Sequence, residues 1–209
     1  MIYWAKKKMK KRLLYILLLL ATSPFCFAQT KSVKDLYWDY SQIRMEDTQK
    51  SQAISLAEEL IKRAPELSKT QLGNVTYHLG RLYEETGNTE KAIPYYEQAI
   101  KITPAYFVPY RALGFIFLSK CNAIGAKMNE AGKAKDLKLH KELYAKYKET
   151  ALQALPYLEK SQACDPDEET KTIINNLYQS LKDTASIASL DERLKKMATN
   201  CISLLEDEY

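Results

Sequence analysis

The side chains best equipped for chemistry are few and scattered. The histidines are His78 and His140, and the cysteines are Cys26, Cys121, Cys164 and Cys201. A thiolate metal site needs ligands paired at short spacing, and these cysteines form no CxxC. A lone histidine such as His78, within an apolar helical pattern, is a packing or groove residue more readily than a base. The carboxylates Glu84 and Glu85, on an exposed helix, read as solvated surface. GxSxG, HExxH, a glycine-rich phosphate loop and an acidic calcium loop are all missing. The sequence therefore offers no catalytic residue, no metal site and no cofactor site, and points away from an enzyme.

Charge gives a second exclusion once processing is considered. Residues 1–28 hold a basic head (Lys6, Lys7, Lys8, Lys10, Lys11 and Arg12) and an apolar stretch from Leu13 to Ala21. Small residues and a proline follow, up to Cys26-Phe27-Ala28. That order predicts a secretory signal peptide cleaved after Ala28. The apolar stretch is short of the ~20 residues that span a bilayer. An uncleaved N-terminus is the rival reading and the one route to a membrane. The full chain carries 31 Lys and Arg against 26 Asp and Glu. Without residues 1–28 the balance is 25 against 26, a net charge of −1. The alkaline character thus belongs to the export segment and gives no support to a nucleic-acid partner. Export to the periplasm or cell envelope also bears on Cys121, Cys164 and Cys201. They are either buried apolar residues or one disulfide with a leftover thiol.

Position of the remaining residues depends on helices. From Ser32 onward apolar residues recur at three- and four-residue steps, which predicts an all-α chain. Residues 90–104, EKAIPYYEQAIKITP, return in altered form at 152–166 as LQALPYLEKSQACDP. The pattern Ala92, Ile93, Tyr96, Ala99, Ile100 and Ile102 gives an amphipathic helix, with Asn88 or Thr89 to cap it and Pro104 to stop it. Upstream, Leu72, Val75, Leu79, Leu82 and Tyr83 share one face of a preceding helix, and Gly87 breaks the chain between the two. A hairpin of two such helices leaves apolar surface on both sides, so it must stack on others.

These residues resemble the tetratricopeptide repeat, a 34-residue helix–turn–helix unit. With Gly73 as position one, Leu79, Gly80, Tyr83, Ala92, Tyr96, Ala99 and Pro104 fall on its signature positions. The resemblance implies an α-solenoid of antiparallel helix hairpins. Its units are a degenerate first repeat and cap over 29–67, a repeat over 68–106, a repeat with lengthened helices over 107–166, and a degenerate final repeat with a capping helix over 167–209. In the first unit Ser41 replaces the glycine and Ala57 the aromatic. The next clean unit starts at Phe107, with Tyr110, Leu113, Gly114 and Phe117 on signature positions.

The two related stretches lie 62 residues apart, 28 more than one repeat. The extra residues, rich in Ala, Lys and Glu, predict that both helices of the third unit are lengthened into a projecting hairpin with its turn near Asn129–Lys135. Pro94 is expected near the first turn of its helix, whereas Pro156 should lie well inside a longer one and kink it. Ile187, Leu190, Leu194, Met197, Cys201 and Leu204 predict one closing helix. Lengthened repeats of this kind occur in exported proteins of the Bacteroidetes group, which the chain resembles.

In the repeat family, partners lie against the concave wall made by the first helices. Carried onto this chain, that wall includes Trp38 and Gln42 in the first unit, Asn74, Tyr77 and Arg81 in the second, and Arg111 and Phe115 in the third. These aromatics and guanidinium groups suit an extended peptide. Ordinary surface and packing between repeats is the plainer account of each. The lysine-and-asparagine clamp of chaperone adaptors is missing, which argues against that role. On the projecting hairpin, lysines outnumber acidic residues by three; this reads as a solvated face, with acidic proteins or lipid headgroups as the other possibility. The resemblance therefore implies a non-catalytic scaffold for a protein or peptide in the envelope. The other reading is an accessory that captures a glycan or nutrient.

Overall fold

Ser68 starts the best-defined helix by a reciprocal cap. Its hydroxyl accepts from the Gln71 amide at 3.1 Å while the Gln71 side chain accepts from the Ser68 amide at 2.9 Å. The helix runs Lys69–Glu85 and closes over Gly87, whose φ of +78° a side chain would resist. The partner helix follows at once, Thr89–Ile102. Asn88 occupies its cap position, but its side-chain amide donates to the Thr86 carbonyl at 3.1 Å instead of capping.

The computed structural model describes residues 31–207, and the export segment expected over 1–28 lies outside them. From Val33 onward the helices belong to one unit. They are α1 (Val33–Ile43), α2 (Lys50–Lys62), α3 (Lys69–Glu85), α4 (Thr89–Ile102), α5 (Val108–Lys133), α6 (Leu137–Cys164), α7 (Glu168–Ser180), α8 (Thr184–Ala188) and α9 (Leu190–Met197). Each packs on its sequence neighbours, α1 on α2, α2 on α3, and so on to α8, which is the stacking of an α-solenoid. The shared core runs from Leu36, Tyr37 and Tyr40 through Val75, Leu79 and Tyr96 to Leu113, Leu158 and Ile174.

The third hairpin is lengthened, as the spacing predicts: α5 has 26 residues and α6 has 28, against 17 and 14 in α3 and α4. Its turn falls at the end of the expected window. Gly125 and Gly132 both stay helical, the left-handed residue is Lys135 (φ 56°), and Asp136 caps α6 by accepting from the Leu139 amide at 2.9 Å. Helix α6 passes through Pro156 without a break. Pro94 is the sixth residue of α4, deeper than the first turn expected for it.

The closing helix is a second departure. The apolar steps from Ile187 to Leu204 predict one rod, yet α9 ends at Met197. Asn200 takes a left-handed backbone (φ 56°), and Cys201 forms a disulfide with Cys164 at the end of α6. Residues 202–207 then run back along the molecule without helical structure. A continuous helix would carry Cys201 away from Cys164, so the covalent bridge and the continued rod exclude each other.

Candidate functional site

The returning segment meets three surfaces in turn. Ile202 donates its amide to the Ala105 carbonyl at 2.8 Å and accepts from the Phe107 amide at 3.0 Å, a parallel bridge centred on Tyr106. Leu205 lies against Gly73 at the start of α3, and its carbonyl accepts from the Asn74 side chain at 3.1 Å. Asp207 ends in a clasp built by α1 and α3. Arg44 grips its carboxylate with both terminal nitrogens at 2.6 and 2.9 Å, Tyr37 donates its hydroxyl at 2.8 Å, and Asn74 donates at 3.0 Å. Arg44 also donates to Oδ1 of the Asn74 side chain at 2.8 Å, which fixes the orientation of that amide.

Helical spacing explains the convergence. Tyr37 and Tyr40 of α1 and Arg44, the first residue past its end with its amide still bonded to the Tyr40 carbonyl, fall at i, i+3 and i+7 and share one face. Burial would raise the Asp207 carboxyl, but the hydrogen bonds from Arg44 and Tyr37 outweigh it and hold the group below its ordinary range. Burial and the bond to Asp207 push Tyr37 up, so its hydroxyl stays a donor at all ordinary pH. His78, enclosed beside Tyr77, is held down to about 3 by burial and by Arg44 and Arg81, and is therefore neutral.

The wall residues named from the sequence separate into groups. Asn74 is 2% exposed and belongs to the clasp. Tyr77 is partly buried, with its ring edge-on to Tyr106 at 5.0 Å and to His78 at 4.9 Å. Arg81 pairs with Glu85 at 2.6 Å and approaches the Met45 sulfur. Trp38, half exposed, and Gln42 lie on α1 one step round from the clasp face. Arg111 pairs with Asp165 at 3.0 Å and covers the Phe115 ring. Phe115 in turn lines an open depression of about 380 Å³ between α5 and α7, with Leu118, Asn122, Glu169, Ile173 and Asn176. The structure thus brings Asn74 to a bound carboxylate and Phe115 to a depression, and it does not bring all seven residues to one site.

Tyr37, Arg44 and Asp207 were missed by sequence reasoning. Tyr37 and Arg44 match no recognition position of the repeat, and nothing in the local pattern marks a tail that folds back over 163 residues. The chemistry of the remaining reactive groups is modest. Burial raises the Cys121 thiol to about 11, which leaves almost no thiolate at neutral pH. Among the described residues no group of three or more His, Cys, Asp or Glu side chains could hold a metal ion. Among those residues, too, no helix is long and apolar enough to cross a membrane.

Antiparallel helix hairpins stacked in chain order define the class of protein: an all-α solenoid of the tetratricopeptide type. Residues 74–106, spanning most of α3 and all of α4, match the tetratricopeptide repeat family model. Comparison with curated proteins and comparison with solved structures each gave no match.

Proposed function

We propose that this protein is a non-catalytic scaffold that binds an extended segment of a partner protein, and that it works in an exported compartment of the cell envelope. One observation carries the first part. The protein already holds a non-helical peptide segment, residues 202–207, through main-chain hydrogen bonds to Ala105 and Phe107 in the α4–α5 connection and one carboxylate clasp on α3 and the end of α1. A surface that reads backbone and a single charged side chain is the chemistry of peptide recognition. The tetratricopeptide repeat at 74–106 supports a protein partner in particular. The Cys164–Cys201 disulfide supports the compartment, since such bridges persist where the surroundings are oxidising.

The depression beside Phe115 offers such a partner an open aromatic ring with polar groups around it. A photocrosslinking residue placed at position 115 of the full chain, in the native cell, tests this reading. One protein species should be captured, and Arg111→Glu, which removes the cation over the ring, should abolish the capture. A crosslink-free position 115, together with a melting temperature raised by a sugar, would instead favour glycan or nutrient capture.

A further inference from the structure

We infer that residues 202–207 are a tethered competitor: they fill this protein's own carboxylate-reading peptide site, which opens to an aspartate-bearing segment of a partner when they leave. The inference rests on the peptide-binding reading above and adds what the site selects and how it is regulated.

Three features of the site carry it. The clasp is built, since Tyr37 of α1, Arg44 just past its end and Asn74 of α3 meet on one carboxylate. A guanidinium enclosed this far is stable only beside an anion, and the nearby cation Arg81 and neutral His78 supply none. A departing Asp207 therefore leaves a site that favours another carboxylate. The tail, for its part, adds main-chain bonds at Ile202 and a contact of Leu205 with Gly73, but it buries little apolar surface: Ile202 and Leu204 stay 40% and 70% exposed. Finally, the site keeps polar capacity that the tail does not use. Arg44 Nε and Thr103 Oγ1 are buried without a hydrogen-bond partner, and Thr103 Oγ1 lies against Gly73 beside Leu205. A ligand that reached those atoms would bind better than the tail, and the tail's advantage is its tether. A short linker holds it at an effective concentration on the order of mM.

The full chain, its Asp207→Asn variant and a labelled peptide Ile-Ser-Leu-Leu-Glu-Asp with blocked ends test the inference by fluorescence anisotropy. Asp207→Asn should bind the peptide at least about tenfold more tightly than the unaltered chain, because the internal rival is weakened while the clasp is intact. The same peptide ending in asparagine should bind neither. Leu205→Ser, which loosens the tail by a different contact, should also expose the site and guards against a folding defect in the first variant. Equal affinity for the unaltered chain and both variants, or no loss with the asparagine peptide, would overturn the proposal. So would a concentration-dependent dimer abolished by Asp207→Asn, which would mean that tails are exchanged between copies. Such results leave the capture at position 115 untouched, so failure here is distinguishable from failure of the scaffold reading.

Discussion

Leu158 packs so closely on Gly114 that a Cβ at the glycine would lie 2.8 Å from Leu158 Cδ2 and 3.2 Å from the Leu158 backbone nitrogen. Gly80 and Tyr96 stand in the same relation one unit earlier, where the Cβ would meet the ring at 2.9 Å. The first unit has Ser41 in place of the glycine and a fully buried Ala57 in place of the large side chain. Glycine against a large side chain thus sets the close approach in two hairpins, and the first unit lacks that pair.

Gly114→Ala should therefore destabilise the fold by about 2 kcal/mol, because one contact is with backbone that cannot step aside. Gly125→Ala, in the same helix but with nothing within 4 Å of the new methyl, should stabilise by up to about 1 kcal/mol. Urea denaturation of the two variants checks the contrast in sign.

The Cys164–Cys201 bridge closes a loop of 37 residues. By chain entropy, its loss in a Cys164→Ala, Cys201→Ala double variant should cost about 4 kcal/mol. The buried Cys121 takes no part, so Cys121→Ala should not reproduce that loss. Thermal melts with and without reductant measure the difference.

His78 gives the fold a definite acid limb. Burial, with Arg44 and Arg81 nearby, holds its folded pKa down to about 3, while an unfolded histidine titrates near 6.5. Stability from this group is complete above the unfolded value and is lost as pH falls towards the folded one, amounting to about 2 kcal/mol by pH 5. His78→Gln should flatten the stability profile between pH 7 and 5. Asp207 acts lower: its depressed carboxyl keeps the clasp closed at neutral pH and releases it only in acid below the ordinary carboxylate range.

Pro94 and Pro156 both lie inside helices, on exposed faces. Each removes the amide that would bond four residues back, to Glu90 and Leu152. Pro156→Ala should raise stability by up to about 3 kcal/mol, and Pro94→Ala should also gain rather than prove neutral. Chemical denaturation of each variant checks both.

Much of this architecture is legible in the chain because its causes are local. Ala92, Tyr96 and Ala99 bury one face of a helix whatever surrounds it, Gly87 must turn, and the 28 surplus residues must lengthen something. Gly80 and Gly114 stand one 34-residue repeat apart and meet Tyr96 and Leu158 on the matching second helices, so stacking follows from the repeat even where 28 residues are inserted between the partners. What the tertiary structure decided is where residues 198–207 go. Their apolar steps satisfy a helix equally well, and the choice is made by partners far away: Cys164 by a covalent bond, Ala105 and Phe107 by main-chain hydrogen bonds, and Arg44 by charge. Tyr37, Arg44 and Asn74 become a site only because that distant carboxylate arrives between them, and a contact across 163 residues leaves no periodicity to read.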